Sequence, residues 1–325
     1  MVGTLAHYVC VKSEAVHFYS EGARLRGFLH RPDDASGPLP FVVQGPGWLG
    51  LADAKLYVPY HQAFTDAGFA VLIFDYRGFG DSEGDRGTIS PAWQLADWRN
   101  AIAYMRGRPD VDADRAAIFG SGGTGGGNAV LVAAAEPDVR ATISQVPVAD
   151  GRDWLRRMRA TETQWSEFLA RVEADRRQRA AGGTGVLVHP REEIMIQTAE
   201  RRASGVKSDV DSRIPTAVPL SCAQDVIDYR PIDVASRVRG LMVVAVDDDD
   251  VTPTDHASAL YRASGTPKKL VMQRGTTHYA AYKQYAAEVI PMMVDWLRTL
   301  VIDRGAPPRD AEEVVVGQAA GIAAR

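Results

Sequence analysis

Three stretches of this chain, LPFVVQGPGW (39–48), AVLIFDYRGFG (70–80) and RAAIFGSGG (115–123), each run as unbroken apolar residues into a glycine-rich turn. A strand with one wet face alternates apolar and polar residues. Unbroken runs of this length instead suit strands buried on both faces, as in a parallel sheet packed between helices. Helical patterns fall between them, at 57–67, at 91–105 with Pro91 in the first turn, and at 127–135. VRATISQVPV (139–148), GLMVVAVDDDD (240–250) and KKLVMQRGTTHY (268–279) read as further strands. AVHFYSEGARLRGFLHRP (15–32) reads as an opening hairpin around Glu21-Gly22. AAEVIPMMVDWLRTLVI (286–302) closes the core as a helix that Pro291 is expected to kink or divide. Alternation of this kind predicts an α/β fold with an open, mostly parallel central sheet.

Residues 1–150 and 231–304 carry the alternation, and 151–230 interrupt it. DWLRRMRATETQWSEFLARVEADRRQRA (153–180) has a helical pattern, AAGGTGV (180–186) is a joint, and EEIMIQTAERRASG (192–205) is a second helical pattern. Lying between two core strands, this segment is an insertion. Ligands of open α/β sheets bind beyond the carboxyl ends of the strands, so a helical lid over that edge is expected. Arg156, Arg157, Arg159, Arg171, Arg176, Arg177 and Arg179 interleave with Glu162, Glu167, Glu173 and Asp175. That mixture reads as a solvated helix face rather than an anion-binding surface. Residues 305–325 form a tail expected to be poorly ordered or peripheral.

The net charge of −4 gives no basic surface for nucleic acid. No run approaches the roughly 20 apolar residues that cross a bilayer, and the N-terminal stretch lacks a signal-peptide pattern. Cys10 and Cys222 stand far apart in no metal-ligand spacing and read as reduced thiols of a cytoplasmic protein. The expectation is a small-molecule substrate, no cofactor or metal, and no nucleic-acid or membrane partner, with a homodimer left open.

FDYRGFGDSEGD (74–85), QGPGW (44–48), AVDDDDVTP (245–253) and GTTHY (275–279) all follow core strands. Over roughly residues 15–150 and 230–302 the chain resembles α/β-hydrolases of the serine-aminopeptidase and lysophospholipase-like group. The resemblance implies an oxyanion turn near Gly47 and Trp48, an acid in the aspartate run, a base at His278 and a strand-to-helix elbow before them. Asp249, four residues before Pro253, is the expected acid, with Asp247 and Asp250 as alternatives.

The elbow departs from the pattern. Aligning Arg115 through Gly126 with the group's Arg-x-x-x-x-Gly-x-Ser-x-x-Gly-Gly keeps Gly120, Gly125 and Gly126 in register. Gly122 then stands where the nucleophilic serine is expected; engineered loss of a native serine would read the same way. Ser121 is adjacent, and Thr124 occupies a literal Gly-x-Thr-x-Gly over 122–126, although a β-branched residue suits a positive-φ elbow badly. The resemblance therefore implies a hydrolase-like or lyase-like enzyme in which His278 and Asp249 act without a covalent intermediate. Backbone N–H groups of Gly123 and of Trp48 or Gly47 would stabilise the oxyanion, since Pro46 has none. Hydrolysis of an ester, lactone or C–C bond and base-catalysed elimination all fit, on a small or medium organic carbonyl compound walled by Trp48, Trp154 and Tyr279. Two alternatives stay open: a serine/threonine-type esterase using Thr124 or Ser121, and a catalytically silent ligand-binding protein.

Overall fold

The computed structural model describes residues 11–33, 36–203 and 211–318; Cys10 and residues 319–325 of the tail lie outside them. Strands β1 (Val11–Ser20) and β2 (Ala23–Pro32) form the hairpin, turning at Glu21 and Gly22 with φ of 47° and 85°. Next come β3 (Leu39–Gly45), α1 (Val58–Asp66), β4 (Ala70–Phe74), α2 (Pro91–Arg106), β5 (Val111–Ser121), α3 (Gly123–Ala135) and β6 (Ala141–Gln145). The inserted segment holds α4 (Gly151–Arg157), α5 (Glu162–Ala180), β7 (Leu187–Val188), α6 (Ala199–Ala203), β8 (Val218–Pro219) and α7 (Cys222–Ile227). The chain then returns to the core through β9 (Leu241–Val246), α8 (Thr254–Ala263), β10 (Lys268–Gln273), α9 (Ala281–Gln284), α10 (Ala286–Leu297) and β11 (Ala311–Val316).

Among the described residues the central sheet runs β1-β2-β4-β3-β5-β6-β9-β10-β11. Only β2 is antiparallel to its neighbours; every pairing from β4 to β11 is parallel. The unbroken apolar runs are explained by two cores. Ala116 and Ile118 of β5 pack with Val43, Leu72 and Val243 on one face. Ala117 and Phe119 pack with Val42, Val71 and Val244 on the other. No described helix is long and apolar enough to cross a membrane.

Four details differ from the sequence reading. The tail supplies β11, an edge strand paired in parallel with β10 from Lys268↔Ala311 to Gln273↔Val316, its AEEVVV stretch alternating exposed and half-buried residues up to the buried Val316. α10 runs through Pro291 without dividing, although the proline cannot supply the intrahelical bond to the Ala287 carbonyl. The first helical pattern of the insertion is two helices, with Thr161 capping α5 through a bond from the Gln164 N–H. Its arginines are mostly exposed and paired with Glu162, Glu173, Asp175 and Glu193, but Arg159 is buried over the Phe168 ring at 3.6 Å.

A histidine pair, His61 buried and His30 half-buried, ties stability to pH. His61 Nε2 lies 2.5 Å from Gln44 Oε1, and the His30 ring stacks on His61 at 4.6 Å. Burial lowers His30 to about 4; burial, helped by the neighbouring His30, lowers His61 to about 3. Both titrate near 6.5 in the unfolded chain. Their contribution is therefore full above pH 6.5 and is lost as the pH falls toward 4. Asp75, whose carboxyl burial pushes up to about 6, works in the opposite direction. The test is thus a difference: in His30→Phe, which keeps the stack, the fall of Tm between pH 7 and 4 should be shallower than in the unmodified protein. An equal slope would remove the pair from the acid response.

Candidate active site

β5 delivers the chain to the carboxyl edge of the sheet, where it turns at Gly122 with φ 79° and ψ 167° and enters α3 at once. The turn is tight. A Cβ at Gly122 would stand 3.1 Å from the Gly47 Cα. Side chains at Gly125 and Gly126 would meet the carbonyl oxygens of Pro46 and Gln145 at 2.7 and 2.8 Å, and one at Gly127 would strike the Tyr229 hydroxyl. The glycine run thus lets α3 press its first turns against the strand ends. For that reason the helix begins at Gly123, four residues before its apolar pattern.

The loops after β9 and β10 bring Asp249 and His278 together. His278 Nδ1 lies 2.8 Å from Asp249 Oδ2, with both side chains almost fully buried. Asp249 is held from every side: Oδ1 accepts the N–H groups of Val251 and Thr252 at 2.8 and 2.9 Å, and Oδ2 accepts the Thr252 hydroxyl at 2.9 Å. Burial alone would push its carboxyl up, but the charge and hydrogen bond of His278, with the two backbone donors, hold it below the usual carboxylate value. The other aspartates lie elsewhere. Asp247 faces Arg274 at 3.5 Å, Asp248 is exposed at φ 56°, and exposed Asp250 is raised by burial of its carboxyl and by Glu200. With Nδ1 donating to Asp249, His278 keeps Nε2 as a proton acceptor.

A mostly apolar cavity opens above this pair, and Gly47, Trp48, Gly122, Gly123 and His278 all line it. Trp154 and Tyr279 wall it as the sequence suggested, and the Trp48 and Trp154 rings meet edge-on at 5.8 Å. The inserted segment contributes Trp154, Arg191, Met195 and Arg201. Gly123, first residue of α3, has an N–H with no intrahelical acceptor. The Gly47 backbone lies beside the Tyr57 phenol.

Neither alternative nucleophile lines the cavity. Ser121 is fully buried, with Oγ 2.9 Å from the Tyr282 hydroxyl. Thr124 is buried in the first turn of α3, its Oγ1 without a hydrogen-bond partner and its carbonyl accepting the Tyr229 hydroxyl at 3.0 Å. Three site residues escaped the sequence reading. Thr252 was signalled only by its place three residues after Asp249. Tyr57 and Tyr282 carried no signal, since they reach the elbow from distant parts of the chain.

A parallel sheet, a glycine-lined elbow and a buried aspartate–histidine pair beyond the strand ends define an α/β-hydrolase. Residues 21–279 match the family model of the X-Pro dipeptidyl-peptidase (S15 family), and the chain belongs to that family of hydrolases. It is 30% identical over 294 residues to the quorum-quenching protein AidA of Acinetobacter baumannii (strain MDR-ZJ06), covering 88% of this chain and 94% of that protein. It is 29% identical over 293 residues to an uncharacterized 31.7 kDa protein of Escherichia coli, covering 87% of this chain and 97% of that one. The solved α/β hydrolase GrgF from Penicillium sp. sh18 has the same fold, with a TM-score of 0.74 at 20% identity over 90% of this chain and 99% of that chain.

Proposed function

We propose that this protein hydrolyses a small or medium organic carbonyl compound, an ester or lactone in the first instance, without a covalent enzyme intermediate. The observation that carries this reading is His278, held at 2.8 Å by Asp249 and lining a cavity in which Gly122 supplies no nucleophile. A water beside His278 gives one proton to Nε2 while its oxygen forms a bond to the carbonyl carbon and the C=O pair moves onto oxygen. The N–H groups of Gly123 and Trp48 receive that oxyanion; such a donor typically contributes about 3 kcal/mol in the transition state. As the intermediate collapses, the bond to the leaving group breaks, and the leaving group takes the proton from His278.

Residues 151–230 act in this reading as a helical lid, since Trp154, Arg191, Met195 and Arg201 reach the cavity from them. Kinship with a protein named for quorum quenching supports a small molecule rather than a polymer. A silent binder would have no use for a base oriented by a buried carboxylate, which favours an enzyme. Rapid-mixing kinetics on a panel of small chromogenic esters and lactones tests the route. The expected trace is linear from the first turnover. A burst of about one leaving group per chain would reveal an acyl-enzyme and restore the esterase that uses Thr124 or Ser121.

A further inference from the structure

Beneath the elbow lies a line of hydroxyls that the steps above do not use. Tyr282 and Ser121 are hydrogen-bonded at 2.9 Å. Tyr57 stands beside Ser121 and the Gly47 backbone, and both pull its phenol down against the rise from burial. Both tyrosines line the cavity, while Ser121 between them does not. Burial raises the phenols of Tyr282 and Tyr57, so each keeps its proton at neutral pH. Either hydroxyl of the Ser121–Tyr282 link can be its donor, so the Tyr282 oxygen is open to accept from the cavity when its own proton goes to Ser121.

The Tyr282 oxygen stands 4.0 Å from the position a Cβ would take at Gly122. The space above Gly122 is therefore bordered by Tyr282, and His278, whose ring centre lies 6.3 Å from that of Tyr282, lines the same cavity. We infer that Tyr282 is a water-positioning residue: its hydroxyl, held by Ser121, accepts one proton of the hydrolytic water in a hydrogen bond while His278 Nε2 accepts the other. In that orientation Tyr282 donates to Ser121. No covalent bond changes along this line. A water held by two acceptors has its lone pair turned toward the remaining open side, where the carbonyl carbon must come.

The inference rests on the reading that His278 activates water, and the test separates the two. Crystal structures of the unmodified protein, Tyr282→Phe and the double variant Ser121→Ala/Tyr282→Phe are compared. The double variant guards against misfolding, because it leaves no buried hydroxyl of the pair without its partner. The expected result is a water within hydrogen-bond distance of both His278 Nε2 and Tyr282 in the unmodified protein, lost from both variants. With p-nitrophenyl butyrate as probe, kcat in Tyr282→Phe should fall about tenfold with KM within about twofold, the loss of one hydrogen bond to the reacting water. A water retained at His278 in Tyr282→Phe, or an unchanged kcat, overturns the positioning role and leaves His278 in place. No water beside His278 in the unmodified protein overturns both.

Discussion

His278→Ala is expected to lose between about 10² and 10⁴ in kcat on any ester that the native protein turns over, the usual range for a positioned general base. The argument is geometric. The imidazole lies against Asp249 at 2.8 Å, and among the described residues no other histidine lines the cavity. The variant should stay folded, because Asp249 keeps the Val251 and Thr252 N–H groups and the Thr252 hydroxyl as partners. Its carboxyl, freed from the imidazole, should titrate higher than in the native protein. Residual turnover would come from the backbone donors near the elbow. Unchanged kcat in a folded His278→Ala protein would remove the base from the mechanism.

Gly122→Ser is expected to turn a protein inert to fluorophosphonates into one labelled at residue 122. The new Oγ would stand on the residue at the apex of the elbow, in a cavity that His278 also lines. Stability should fall, because the residue must hold φ near 79° and its Cβ would press on the Gly47 Cα from 3.1 Å. Positive φ at a non-glycine residue costs on the order of 1–3 kcal/mol. A lower Tm together with a one-probe mass increase is the predicted signature. A folded variant that resists the probe would show that the turn at Gly122 cannot present a hydroxyl to the histidine.

Much of this was legible in the chain. Unbroken apolar runs such as AVLIF and AAIF stated the buried parallel sheet, because residues facing either side of each strand had to be apolar. The spacing of Asp249 before Pro253, and of His278 after β10, located the pair, since both stand on short loops fixed by neighbouring strands. Other features depend on contacts that no local pattern encodes. The Ser121–Tyr282 bond joins residues 161 positions apart. The early start of α3 follows from Pro46, Gln145 and Tyr229 pressing on the glycine run rather than from helical periodicity. Arg159, polar by type, is buried because its guanidinium lies over Phe168 and donates to the carbonyls of Leu155 and Glu193. β11 was hidden by the polar, proline-containing stretch that precedes it.

Intact-mass spectrometry of the unmodified protein after incubation with an excess of a fluorophosphonate tests the central claim most directly. Chemistry led by His278 and Asp249 without a covalent nucleophile predicts no added mass, under conditions in which Gly122→Ser gains one probe. A stoichiometric adduct on the unmodified protein, mapped by peptide sequencing to Thr124 or Ser121, would contradict it.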